Sequence, residues 1–163
     1  MTNSGRPRLL FHCQHALGLG HLARSLALAD GLQTHFDVTL LNGGRFPTGT
    51  RVPEGVEVVN LDPLGHDADY QLVSHDPALS VAAAMTRRRA TVLDSLARVD
   101  PRILVVELYP FGRKKFRFEL DPLLTAVHAA GPGRARGVCS VRDILVNERR
   151  DQDGHDERAA LTA

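Results

Sequence analysis

Residues 8–32 read RLLFHCQHALGLGHLARSLALADGL, an apolar run followed by a glycine-rich turn and then a helical pattern. The apolar run is typical of a strand that is buried on both faces, as the strands of parallel sheets are. Gly18 and Gly20 let the backbone turn sharply and approach a ligand closely. The helix predicted over 20–33 then places His21 in its first turn, where unpaired backbone N–H groups attract anions. This stretch predicts a strand–turn–helix unit with an ionisable imidazole beside an anion-binding turn.

The same alternation of strand and helix patterns continues along the chain. Further strands are predicted over 36–41, 56–61, 103–107 and 137–141, and further helices over 76–99 and 117–130. Asp76 and Pro77 suit the N-cap and the first position of the longer helix, and the polar segment 62–75 before them is predicted to be a loop. Right-handed crossovers then favour an α/β fold: a doubly wound, mostly parallel, five-stranded Rossmann-like sheet of order 3-2-1-4-5.

The domain organisation follows from where the pattern stops. No repeat or linker divides the first part of the chain, so residues 1–147 are expected to form one Rossmann-like domain. Residues 148–157 are almost wholly charged or polar. Residues 148–163 are therefore predicted to be a polar tail, the truncated start of a following helix.

Composition excludes several classes of protein. The formal net charge of +1 provides no general field for nucleic acid. The cysteines, Cys13 and Cys139, both fall in apolar runs and are interpreted as reduced core residues. No signal peptide is recognisable, and no apolar stretch approaches the ~20 residues needed to span a bilayer. We therefore expect a soluble, cytoplasmic protein.

The predicted topology locates the ligand site. In open α/β sheets, ligands bind beyond the carboxyl ends of the strands at the point where the strand order reverses. That point lies between the first and fourth strands, which end in the segments 14–21 and 107–115. His21 and Glu107 are therefore expected to face one crevice. The other candidate ligand contacts near this edge of the sheet are Gly18, Gly20, Arg24, Asn42, Gly43, Arg113 and Arg142.

A dinucleotide-binding site is the obvious alternative. Residues 18–23, GLGHLA, satisfy the pattern G-x-G-x-x-G/A. However, the first glycine comes several residues after the strand instead of directly after it. The second strand is followed by Asn42, where nicotinamide enzymes usually have Asp or Glu for the ribose hydroxyls. Both features disfavour a dinucleotide-dependent oxidoreductase.

Other polar clusters are interpreted as structural. His12 and Cys13 alternate along a strand and so point to opposite faces, which favours packing for Cys13 and loop polarity for His15 over a metal site. The histidines and aspartates of 62–76 match no standard metal-ligand spacing. The arginine run 87–89 is predicted to be the wet face of a helix, although it leaves peripheral membrane contact open.

The motif Gly18-x-Gly20-His21, followed by Arg24 and a helix, resembles the N-terminal half of glycosyltransferases of the two-Rossmann-domain, GT-B type. The chain looks most like a group of bacterial predicted glycosyltransferases. It is also similar to the GlcNAc transferase that completes the lipid-linked peptidoglycan precursor and to UDP-sugar transferases. The resemblance covers residues 8 to about 147 and is most specific over 8–32.

This resemblance implies roles for particular residues. His21 would be the general base on an acceptor hydroxyl, Glu107 would orient it, and Gly18 and Gly20 would approach a diphosphate or sugar oxygen. The substrates would be a nucleotide-sugar donor and a hydroxyl acceptor, with no cofactor and no metal. Such enzymes have a second Rossmann-like domain for the donor. We therefore expect a further domain or partner chain, and an inactive chain without it.

Two other functions remain open at this stage. In a nucleotide-sugar hydrolase, which carries a similar Gly-x-Gly-His motif, His21 would activate water instead of an acceptor. A non-catalytic, truncated sugar-binding remnant would keep the fold without the reaction. The sequence distinguishes neither the sugar nor the acceptor.

Overall fold

The computed structural model describes residues 5–15, 19–131 and 133–141. The elements in chain order are β1 (Arg8–Cys13), α1 (Leu19–Leu32), β2 (Asp37–Asn42), β3 (Val56–Asn60), β4 (Leu64–His66), β5 (Leu72–Ser74), α2 (Val81–Val99), β6 (Ile103–Glu107), a 3-10 helix (Lys114–Phe116), α3 (Arg117–Ala129) and β7 (Arg136–Ser140). The predicted strands of the main sheet agree with the observed ones to within one residue at each end. The tail 142–163 lies outside the described residues, so the division at 147 stays a prediction.

Five strands form one parallel sheet in the order β3-β2-β1-β6-β7, which confirms the predicted α/β fold and strand order. β1 is the central strand, because Leu9 lies opposite Val38 of β2 on one side and Ile103 of β6 on the other. The strand order therefore reverses between β1 and β6. In open α/β sheets, ligands bind beyond the carboxyl ends of the strands at such a point.

Side chains of β1 alternate between the two faces of the sheet. Leu9, Phe11 and Cys13 pack with α1 residues, including Leu22. His12 faces the opposite side, where it contacts Glu119 of α3. The predicted opposition of His12 and Cys13 is confirmed. Both cysteines are unpaired, and burial raises the pKa of the Cys13 thiol to about 11.

The segment 62–75 is not the simple loop that was predicted. It contains an antiparallel hairpin of β4 and β5, with Leu64 opposite Ser74. Each strand has three residues, too few to show an alternating pattern. Leu64 is nevertheless buried in the core, so the hairpin is packed against the sheet and helices.

The start of α2 also differs from the prediction. Ser80 is the N-cap, and its hydroxyl accepts a hydrogen bond from the Ala83 N–H at 3.2 Å. Asp76 instead closes a turn before the helix, where its carboxylate accepts from the Ala78 N–H at 2.9 Å. Both residue types cap N-termini, and the sequence did not reveal which of the two would be used.

The arginine run on α2 is only partly exposed. Arg87 and Arg89 are exposed as expected, whereas Arg88 is completely buried, so the prediction is wrong for that residue. Arg88 lies on the buried stripe of α2 with Ala84 and Val92. Among the described residues, no helix is both long and apolar enough to cross a bilayer.

Candidate functional site

His21 and Glu107 meet at the carboxyl ends of β1 and β6. His21 is in the first turn of α1 and Glu107 is the last residue of β6. The distance between His21 Nδ1 and Glu107 Oε1 is 2.5 Å. The Glu107 side chain is fully buried, while that of His21 keeps 20% of its surface exposed. A neutral imidazole that donates from Nδ1 carries its lone pair on Nε2, which is the form that a general base requires.

Arg113 holds the second oxygen of the Glu107 carboxylate. Its Nη2 lies 3.2 Å from Glu107 Oε2. The connection after β6 has left-handed backbone at two non-glycine residues, Leu108 and Arg113, each with φ of 62°. That conformation costs roughly 1–2 kcal/mol per residue, and such strain is found most often where a loop is shaped for function. Glu107 therefore takes part in a histidine contact and in a structural ion pair at the same time.

Arg24 lies on α1 one turn after His21, on the same side of the helix. Its Nη2 donates to the carbonyl oxygen of Val141 at 2.8 Å, just beyond β7. Its Nη1 is buried and finds no hydrogen-bond partner within the described part of the chain. Arg24 therefore links the start of α1 to the end of the sheet nearest Glu107, which pairs with Ser140 of β7.

Asn42 holds the end of β2 instead of presenting a free amide. It is fully buried, and its Nδ2 donates to the Gly44 carbonyl and to Asn60 Oδ1. Its Oδ1 lies 2.9 Å from His15 Nε2, so this nitrogen is the donor. His15 is buried too, which corrects the expectation that it would be a polar loop residue. Burial lowers the pKa of His15 against the opposing effect of the Asn42 hydrogen bond, and the positive charge of Arg113 lowers it further.

Gly43 leaves room for the buried ends of two side chains. A Cβ atom there would lie 2.0 Å from Gln14 Oε1 and 3.0 Å from Arg88 Nη2. Gly20, the second residue of α1, is exposed. Gly18 and Arg142 lie outside the described residues, so their predicted contacts stay predictions.

The network around Arg88 was missed by the sequence analysis. Its guanidinium donates from Nε to Glu119 Oε2 at 2.7 Å and from Nη2 to Glu119 Oε1 at 2.6 Å. Further bonds reach Gln14 Oε1 and the carbonyl oxygens of Gly43 and Asp62. These three acceptors follow β1, β2 and β3 respectively. One side chain therefore holds three loops together at the carboxyl ends of the strands, where the candidate site lies.

Glu119 completes this network from α3. Its side chain is fully buried and also contacts His12 Nε2 at 3.0 Å. Burial alone would raise the pKa of Glu119, but the hydrogen bonds from Arg88 and His12 outweigh it and hold that pKa at about 2. The signal for Arg88 was its spacing of four residues from both Ala84 and Val92. The identity of its partner, 31 residues away, left no signal.

Positive charge dominates the loop beside the His21–Glu107 pair. Burial lowers the pKa of His66 on β4, and the charges of Lys115 and Arg113 lower it further, against Asp67. The described residues contain no group of three or more His, Cys, Asp or Glu side chains arranged to hold a metal ion. The described part of the site is thus one buried carboxylate, a partly exposed imidazole and several basic side chains.

Comparisons with known proteins identify the fold but no family. No protein-family model matches the chain, and no curated protein matches it. The chain is similar to the structure of apo UGT2 from Phytolacca americana, with a TM-score of 0.51 and 21% identity over 83% of this chain and 29% of that one. The structure of UGT2 complexed with UDP-2fluoro-glucose and pterostilbene gives a TM-score of 0.49 and 17% identity, over 83% of this chain and 30% of the other. The chain spans less than a third of these structures, and the likeness to apo UGT2 establishes the fold alone.

Proposed function

We propose that this chain is the acceptor-side half of a GT-B-type glycosyltransferase, which moves a sugar from a nucleotide-sugar donor to a hydroxyl acceptor. The observation that carries the proposal is the contact between His21 and Glu107 at the strand-order reversal. A buried carboxylate on one ring nitrogen and a partly exposed imidazole are what a base for a hydroxyl group needs. The fold likeness to apo UGT2 supports the proposal.

In the proposed reaction, His21 Nε2 takes the proton of the acceptor hydroxyl as its oxygen attacks the anomeric carbon. The bond between that carbon and the diphosphate oxygen breaks, and the diphosphate leaves with the bonding electron pair. Glu107 stabilises the imidazolium that forms, while Arg113 keeps the carboxylate in place. A positioned base contributes about 10²–10⁴-fold to rate.

The donor site is proposed to lie outside this chain. The chain covers 29% of apo UGT2, so most of a protein of that size has no counterpart here. We therefore assign donor binding to a second Rossmann-like domain or a partner chain. In the hydrolase alternative, water would take the place of the acceptor at His21, and no acceptor would be needed.

The test measures UDP release from UDP-glucose and UDP-N-acetylglucosamine, with and without a panel of hydroxyl acceptors. It uses the chain and any longer natural polypeptide that contains it. His21→Ala should lower acceptor-dependent release by about 10²–10⁴-fold. His35→Ala is the matched control, because His35 is an exposed histidine beyond the other end of α1.

The outcomes separate the candidates. Acceptor-dependent release that needs His21 supports the transferase, whereas release without acceptor that needs His21 indicates the hydrolase. Release that survives His21→Ala contradicts the role of His21 as general base in both enzymatic functions. Nucleotide-sugar binding without release in every polypeptide tested would leave the sugar-binding remnant.

A further inference from the structure

Basic side chains from two parts of the chain lie at the end of the sheet that carries the His21–Glu107 pair, where Arg113 contacts Glu107 and acts together with Lys115 on His66. Arg24 comes from α1, while Arg113 and Lys115 come from the connection between β6 and α3. The Glu107 carboxylate lies beside these basic side chains, and its two oxygens already contact His21 and Arg113. Within the described part of the chain, no carboxylate lies at ion-pair distance from Arg24 or Lys115. Cations therefore outnumber anions at this edge of the sheet.

The cations are held on an ordered support. Phe116 is fully buried beside the Arg88 guanidinium, which lies 5.3 Å from the centre of its ring. The 3-10 helix Lys114–Phe116 is thereby anchored, and Lys115 projects from it into solvent. Arg113 is fixed by its left-handed backbone and by Glu107. Binding a ligand therefore has to order only the Lys115 side chain and not the backbone that carries it.

The same cluster has more hydrogen-bond donors than acceptors. Arg24 Nη1 and Arg113 Nε are both buried and without a partner among the described residues. A buried donor that finds no acceptor is costly, and native structures contain few of them. Arg113 contacts Glu107, and Arg24 and Glu107 both act on Cys139 of β7, so the two unpartnered donors lie at the same end of the sheet. They indicate that this place is suited to a group rich in acceptor oxygens.

We propose that Arg24, Arg113 and Lys115 bind a phosphate oxyanion of the substrate beside His21. Arginine and lysine are the side chains that recognise phosphate, by paired hydrogen bonds and by point charge respectively. The phosphate has two sources, the diphosphate of the nucleotide-sugar donor or a phosphate group on the acceptor. The role of that phosphate in sugar transfer rests on the proposed function, but its binding does not.

Two histidines of the site report on phosphate binding. Burial lowers the pKa values of His15 and His66. Arg113 and His21 lower the pKa of His15 further, against the Asn42 hydrogen bond, and Lys115 and Arg113 lower the pKa of His66 further. The opposing carboxylates are Glu107 for His15 and Asp67 for His66. A bound phosphate would offset the cations, so both pKa values should rise. Nuclear magnetic resonance titration of the full chain measures them directly.

The experiment compares inorganic phosphate, UDP, glycerol 3-phosphate and uncharged glycerol at low salt. Lys115→Met should weaken phosphate binding about tenfold, which corresponds to ~1.4 kcal/mol. Arg136→Met is the matched control. It removes one positive charge from an exposed residue at the opposite end of β7, roughly 13 Å along the strand from Ser140. The control should bind phosphate as the unaltered chain does.

Each outcome decides one question. Histidine pKa values that do not move with any phosphate compound, or that move equally in Lys115→Met and Arg136→Met, overturn the proposal. Tighter binding of UDP than of glycerol 3-phosphate identifies the donor diphosphate as the source, and the reverse identifies a phosphorylated acceptor. Phosphate binding that persists in His21→Ala, with no sugar transfer by any polypeptide containing the chain, would leave this site standing and contradict the proposed function.

Discussion

Replacement of Arg88 with methionine should destabilise the domain strongly. The change removes a buried cation that holds Glu119 and, through Gln14, Gly43 and Asp62, the loops that follow β1, β2 and β3. Glu119 would remain fully buried, with His12 as its remaining described partner. Breaking a buried pair by removing one member costs about 3–5 kcal/mol, because the other charge is left uncompensated. That is a large share of the ~5–15 kcal/mol by which native domains are stable.

Urea unfolding measures this loss as a change in the free energy of unfolding, with the slope m as a check that the cooperative transition is preserved. The melting temperature should fall by roughly 6–20 °C for a domain of this size. Arg89→Met is the matched control, because Arg89 is the exposed neighbour of Arg88 on the same helix. Its effect should stay within about 0.5 kcal/mol.

The reasoning fails if Arg88→Met lowers the free energy of unfolding by less than about 1 kcal/mol, or by no more than Arg89→Met. Either result would mean that the buried negative charge of Glu119 does not depend on Arg88 for its stabilisation. Arg88→Lys provides an intermediate case, because it keeps the charge but loses the planar fork that reaches both Glu119 oxygens. Its loss should therefore fall between those of the methionine variant and the control.

Three further predictions concern particular contacts. Gly44→Ala should cost several kcal/mol in urea unfolding, because its Cβ would lie 2.3 Å from the backbone carbonyl oxygen of His15, and an equal stability would refute the close packing. Ser80→Ala should cost about 1 kcal/mol by loss of the N-cap bond to Ala83, and no loss would mean that Ser80 does not cap α2. The folded-state pKa of Glu119 is lowered from 4.5 to about 2, so its contribution of roughly 3 kcal/mol is present above pH 4.5 and lost as the pH falls toward 2. The Arg88→Met variant should therefore lose less stability than the unaltered chain as the pH falls from 4.5 to about 2. An equal loss in the two proteins would contradict the role of Arg88 in lowering the pKa of Glu119.

The sheet could be predicted because its signals are local. Each strand of the main sheet is an apolar run between turn residues, and right-handed crossovers leave few strand orders to consider. The hairpin of β4 and β5 escaped prediction because three-residue strands show no period. The start of α2 was misplaced because Asp76 and Ser80 offer equivalent capping chemistry.

The sequence predicted which two residues meet at the candidate site, but not the buried ion pair that holds the loops around it. The strand-order rule placed His21 and Glu107 in one crevice, and the structure brings them into contact. The burial of Arg88 was not foreseen, because a run of three arginines is usually solvated and its partner Glu119 lies on another helix. Pairing between distant charged residues is decided by tertiary packing, which spacing within one helix does not encode.

The central position of β1 has a consequence for biosynthesis. On one side its partner strand β2 is close in sequence, with Leu9 opposite Val38. On the other side Leu9 pairs with Ile103 of β6, which is synthesised much later. A nascent chain that has not yet reached β6 therefore leaves the backbone hydrogen-bonding groups of one β1 edge unpaired over an apolar surface. Open edges of this kind pair readily with other chains. We expect ribosome-bound or prematurely terminated products that end before residue 103 to aggregate and to depend on chaperones.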